Sequence, residues 1–179
     1  MAKQVDITYG NALFELALEE NEVDSLYEEV GALKEIIKDN KDLILLLDHP
    51  QIDKDEKVKI IETTFGGRIS NHLTGLLAMV VEKGHSGQII PIFDYFLKLV
   101  KKEKKIGVAT VKSAIELSGA QKAAIEKRLI ETTEYETMEI DYSVDKSLIG
   151  GLVIRIEDRV VDSSIKTKLN NLSKALAKA

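Results

Sequence analysis

The chain has 179 residues, 44% hydrophobic and 31% charged, a balance that suits folded domains and excludes wholesale disorder. A formal net charge of −5 argues against nucleic acid as the main partner, and the absence of cysteine removes disulfides, thiolate metal sites and thiol nucleophiles together. With aromatics at 5% and no tryptophan, a core of Leu, Ile, Val and Ala packed helix on helix is expected.

Val5, Tyr9, Ala12, Leu13, Leu16 and Ala17 recur at helical spacing and predict one apolar stripe on a first helix, with Glu15, Glu19 and Glu20 off it. Asn21 should break that helix. Val23, Leu26, Tyr27, Val30, Leu33 and Ile37 then predict a second helix that Asp39 and Asn40 end. The cluster from Leu43 to Leu47 reads as a short buried helix stopped before Pro50. Asp53 and Glu56 have capping-box spacing and should open a helix carrying Val58, Ile61 and Phe65, which Gly66 and Gly67 terminate. Ser70 should cap a helix with Leu73, Leu76, Leu77, Val80 and Val81, closed by Gly84. A last helix with Ile89, Ile92, Phe93, Phe96, Leu97 and Val100 ends in a basic run at 101–105, where cations favour the negative end of the helix dipole. Six helices with short loops predict an α-helical bundle over 1–105.

Beyond Lys105 the period changes. Val108, Thr110 and Val111 predict a strand between Ile106 and Ile115, and Ser118 with Gln121 predicts a capping box for a helix carrying Ala124, Ile125 and Leu129. Met138, Ile140, Tyr142 and Val144 alternate with Glu139, Asp141 and Ser143, which predicts a strand with one wet face. Gly150 and Gly151 let the backbone turn before a strand with Leu152, Ile154 and Ile156 on one side and Val153 and Arg155 on the other. Glu157 and Asp158 should form a turn into Val160 and Val161, after which Asp162 and Ser163 offer oxygens to the N-terminus of a final helix. That helix carries Ile165, Leu169, Leu172 and Leu176 on one side. Residues 106–179 are thus expected to form a small α/β domain, with the basic run as hinge.

No converging catalytic set is evident. His49, His72 and His85 are scattered without metal-like spacing, the glycine pairs lack the Gly-Lys-Ser/Thr that follows in a phosphate loop, and no nucleophile elbow is present. Acidic pairs such as Asp53/Asp55 and Glu28/Glu29 read as solvated helix faces, and Arg155 with Asp158 and Asp162 reads as either a partner contact or a local ion pair. No secretory signal opens the chain, and no apolar run approaches the ~20 residues needed to span a bilayer. From the residues alone the reading stops at a two-domain binding protein. A generic helical adaptor and, less favoured, a small acid/base enzyme with an interdomain cleft stay open beside it.

The ordered stretch SLIGGLVIRIEDRVVDSSIKTKL, 147–169, resembles the C-terminal signature of delta subunits of bacterial F-type ATP synthases, counterparts of the mitochondrial oligomycin-sensitivity-conferring protein. TYGNALFELA, 8–17, is similar to the N-terminal motif of the same family. Three positions depart from the usual pattern: Gly10 replaces an alanine, and Glu157 and Ser163 replace glycines. The resemblance implies a non-catalytic stator subunit with no cofactor, one copy per complex, working in proton-driven ATP synthesis. It implies that the bundle grips the N-terminal helix of an alpha subunit between its first and fifth helices, here 4–20 and 70–83. The groove residues would be Tyr9, Ala12, Leu13 and Leu16 with Leu76, Leu77, Met79 and Val80. The C-terminal domain would bind the end of the b-subunit stalk, with Leu148, Arg155, Asp158, Ile165, Leu169 and Leu172 as contacts. The location implied is peripheral, on the cytoplasmic face of a bacterial cell membrane, through the complex and without direct insertion.

Overall fold

Helices occupy the first hundred residues because their apolar positions recur at helical spacing and their breaks hold residues that tolerate left-handed backbone. The computed structural model describes residues 2–176. In chain order α1 spans Ala2–Glu19, α2 Val23–Asp39, α3 Lys41–Leu47, α4 Lys54–Phe65, α5 Asn71–Glu82 and α6 Ile89–Glu103. A 3-10 turn at Ser86–Gln88, unforeseen in the sequence, leads into α6. Asn21 (φ 57°) follows α1, Gly67 (φ 72°) follows α4 and Gly84 (φ 73°) follows α5, each where an unbranched or absent side chain eases positive φ. Leu26, Val30, Leu33 and Ile37 of α2 share one core with Leu73 and Leu77 of α5 and Phe93 and Phe96 of α6.

Several local expectations need correction. Asp53 does precede α4, but its side chain caps nothing; only its carbonyl accepts an N–H, from Lys57 at 3.1 Å. Ser70, by contrast, does cap α5, its hydroxyl accepting the Leu73 N–H at 3.3 Å. In α3 only Leu47 is buried, whereas Leu45 and Leu46 face solvent, since a two-turn helix on a surface can bury one side only. Gly10 is itself buried. A Cβ there would lie 2.5 Å from the Tyr95 ring, so the missing methyl admits that ring where the family's usual alanine would meet it.

The second unit divides from the first between Val100 and Lys101, at the start of the basic run expected as hinge. Its lysines are not simply solvated: Lys101 pairs with Glu139 (2.6 Å), Lys105 pairs with Glu136 (3.0 Å), and the Lys105 carbonyl accepts the Glu136 N–H. Strand β1 spans Ile106–Ser113, followed by α7 (Gly119–Thr132), β2 (Thr137–Val144), β3 (Leu152–Ile156), β4 (Arg159–Asp162) and α8 (Ile165–Leu176). Ile115 lies outside the strand and is exposed. The sheet order is β2-β1-β3-β4. β1 and β2 are parallel, Ala109 opposite Ile140, because α7 carries the chain back between them; β3 and β4 add antiparallel. The predicted capping box forms, with Ser118 and Gln121 satisfying each other's N–H groups. Leu129, Ile125 and Ile130 of α7 cover Ala109, Met138, Ile140, Ile154 and Ile156, while Val108, Glu139, Asp141 and Arg155 are exposed.

Glu157 adopts the left-handed conformation that a glycine would take without cost (φ 49°). One contact holds it there, its carbonyl accepting from Arg155 Nε at 3.2 Å, and its nearby carboxylate raises the Tyr135 hydroxyl above its ordinary range. Arg155 therefore braces the turn through a carbonyl. The Asp162 carboxylate instead accepts the Ser164 N–H (2.8 Å) and the Thr167 hydroxyl (2.7 Å). The cap of α8 is Ser164, fully buried, whose hydroxyl accepts the Thr167 N–H; of the two residues expected to offer oxygens here, Asp162 does so and Ser163 gives way to Ser164.

Candidate docking surfaces

Among the described residues no group of three or more His, Asp or Glu could hold a metal ion, and no helix is long and apolar enough to cross a membrane. What the structure offers is apolar surface. On α1 the buried line runs through Gly10, Leu13 and Ala17, with Tyr9 and Leu16 half-buried on its flank and Ala12 exposed beyond them. On α5, Leu77 and Val80 are core, Leu76 is half-buried and Met79 is 51% exposed. Of the eight residues expected to line a groove, Leu13, Leu77 and Val80 are thus beneath the surface. Tyr9, Ala12, Leu16, Leu76 and Met79 are the ones another chain can touch.

A second apolar hollow in the helical unit went unnoticed in the sequence. It measures about 550 Å³ and is lined by Leu33 and Ile36 of α2, Leu43 of α3, Phe65 at the end of α4, and Arg68 and Ile69 beyond it. Only the exposure of Ile36 off its own helix's buried line could have signalled it.

In the second unit the expected stalk contacts separate in the same way. Leu148 is buried and supports the turn it ends, whereas Arg155, Asp158, Ile165, Leu169 and Leu172 are exposed. Leu176 is the most exposed of the α8 stripe at 79%. A cleft of about 470 Å³ opens nearby, between Ala114, Ile115 and Leu117 after β1, Ile125 of α7, and the stretch from Ile149 to Leu152. No titratable side chain lines it, and apart from Ser113 and Gln121 its side chains are apolar.

The family model described as ATP synthase delta (OSCP) subunit matches residues 5–176. An ATP synthase subunit delta from Lachnoclostridium phytofermentans is 51% identical, covering 99% of this chain and 98% of its own. One from Prochlorococcus marinus subsp. pastoris is 32% identical over 99% of both. Among solved structures, a chain of the Toxoplasma gondii mitochondrial ATP synthase hexamer shares the fold with a TM-score of 0.75 at 19% identity, covering 96% of this chain and 97% of that one.

Proposed function

The chain belongs to the ATP synthase delta (OSCP) subunit family, and from that premise we propose that its two units hold the two ends of the stator. As a member it is a non-catalytic stator subunit of F-type ATP synthase. In the proposed arrangement residues 1–105 act as a six-helix bundle that receives the N-terminal helix of an alpha subunit against α1 and α5. Tyr9, Ala12, Leu16, Leu76 and Met79 supply the contact, and Leu13, Leu77 and Val80 fix its shape from below. Residues 106–179 take the C-terminal end of the b subunit through α8 and the turn before it. One copy serves each complex, on the cytoplasmic face of the membrane and held there only through its partners.

The observation that carries this reading is structural and lies within the full-length likeness. The α8 stripe of Ile165, Leu169, Leu172 and Leu176 is as regular as any in the helical unit, yet all four side chains face solvent. A stripe so placed is kept for another chain. A stator must resist torque continuously, so slow dissociation matters most, and nanomolar binding corresponds to about 12 kcal/mol.

Calorimetric titration of the full chain with a peptide of the host's alpha-subunit N-terminal helix tests the head contact. One-to-one binding that is lost in Ala12→Asp and weakened in Met79→Asp is the expected result. A folded chain that gives a flat trace would overturn the assignment of the bundle to the head.

A further inference from the structure

The hollow of about 550 Å³ in the helical unit has an apolar floor and a fixed wall. Leu33 of α2 and Phe65 of α4 are buried beneath it, whereas Ile36, three residues on from Leu33, is 51% exposed at its edge. The wall is the turn that follows α4. There Gly67 takes φ 72°, and the Arg68 and Ile69 N–H groups both donate to the Phe65 carbonyl, at 2.9 and 3.3 Å. The turn is tied to α2 as well, because the Ser70 N–H donates to the Glu29 carboxylate at 3.0 Å. Backbone bonds therefore set the shape of the hollow, and its volume lies in the range of preformed small-molecule sites.

Its polar lining divides by what each group already holds. Glu29 accepts from Ser70 and stands at the N-terminus of α5, where the helix dipole offsets its charge. Asn40 donates to the Ile36 carbonyl at 2.8 Å. Among the described residues, the Thr64 and Arg68 side chains have no hydrogen-bond or ion-pair partner. Both are donors, and a guanidinium keeps its charge at any working pH. The rim thus lacks a negatively charged acceptor, and the floor lacks apolar bulk.

Size decides between a small ligand and a docked helix. The lining on α2 runs from Glu29 to Asn40, about 16 Å of helix rise. A partner helix of that length, about 10 Å across with its side chains, fills roughly 1,300 Å³ as a cylinder. That is more than twice the hollow, so such a helix would stand mostly outside it. An unbranched alkyl chain can lie along it within.

We propose that the hollow binds a free medium-chain alkyl carboxylate. The chain lies over Leu33, Ile36, Leu43 and Phe65, and the carboxylate accepts from the Arg68 guanidinium and the Thr64 hydroxyl. The site is separate from the α1 and α5 surface assigned to the alpha-subunit helix, and it stands whether or not that assignment does.

The test is calorimetric titration of the full chain with sodium octanoate and sodium decanoate, with decanol and decyltrimethylammonium as uncharged and cationic controls. Decanoate should bind one to one, more tightly than either control and about 15-fold more tightly than octanoate for its two further methylenes. Amide shift changes should fall in α2, α3, α4 and the turn at 66–70. Ile36→Asp, at an exposed position that spares folding, should weaken decanoate about tenfold or more. Arg68→Glu should weaken decanoate about tenfold, leave decanol unchanged and favour the ammonium, a split that a merely structural arginine would not give. No decanoate binding, or binding to Arg68→Glu as tight as to the unsubstituted chain, overturns the proposal. Shift changes gathered on α8 would mark adsorption to its exposed stripe and overturn it equally. Displacement of decanoate by the alpha-subunit peptide would give the hollow to a helix. Self-association of the unliganded chain that Ile36→Asp abolishes would give it to a second copy, and either result removes the small ligand.

Discussion

Replacing Gly151 by alanine should unfold the second unit selectively. Gly151 has φ 80°, a region that costs an alanine about 1–2 kcal/mol. The new Cβ would also overlap the Ser163 carbonyl oxygen and lie 3.1 Å from Ser164 Cα. These are backbone atoms, fixed by the Ser163 N–H donating to the Leu152 carbonyl and by the buried Ser164 cap, so they cannot swing aside as a side-chain tip would. Overpacking of this kind costs about 1–3 kcal/mol, and the reduced freedom of the unfolded chain returns under 1 kcal/mol, leaving a loss of about 2–4 kcal/mol. The second unit has a small core, centred on Ala109, Leu129 and Met138, and a domain of this size has only a few kcal/mol to lose. Segment-resolved hydrogen exchange on the full chain is the assay. Amides of β3 and β4 should lose protection by about 30- to 1,000-fold, while those of α2 and α5 keep theirs. Wild-type protection in β3 and β4 would show that the close approach of Gly151 to Ser163 is not what holds the hairpin to α8.

Gly75→Ala is the matched opposite: Gly75 lies within α5 with open space around its Cβ position, so thermal denaturation should show stabilisation of about 1 kcal/mol. Ser118→Ala dismantles the capping box of α7 and should cost about 1 kcal/mol, read as lost exchange protection in the first turn of that helix. Hydrogen bonding from Ser164 first, then Thr167, holds Asp162 below its ordinary 3.8, and Ser147 does the same for Asp145. Because both folded values are depressed, their stabilisation is complete above 3.8 and is lost as pH falls through the lower folded values. Melting curves across that range should therefore steepen on the acid side, and Asp162→Asn should flatten them. Glu157→Gly relieves about 1 kcal/mol of left-handed strain and keeps the backbone carbonyl that Arg155 donates to, so thermal denaturation should show stabilisation of about 1 kcal/mol.

The helices of the first unit and the strands of the second were legible because period and punctuation agreed: Asn21, Gly67 and Gly84 stand where left-handed backbone is needed, and Met138, Ile140 and Tyr142 alternate with polar neighbours. Errors fell where one pattern serves two outcomes. Asp53 and Glu56 have the spacing of a capping box, but spacing does not set the rotamer that closes it. Leu13, Leu77 and Val80 recur with the same period as the residues beside them, and only packing separates the core row from its exposed flank. The Ile149 conformation had no signal at all, because a β-branched residue is the last to be expected at positive φ.

The two units thus treat equally periodic helices in opposite ways. In the first, α2 buries four of its apolar side chains and α6 buries five, so the helices stabilise one another. In the second, α8 buries none of its stripe, and in the proposed assembly another chain supplies the burial it lacks. Binding restricted to the folded state adds stability with the logarithm of partner excess, about 4 kcal/mol when the partner is present at a thousand times its dissociation constant. That is as large as the penalty calculated for Gly151→Ala.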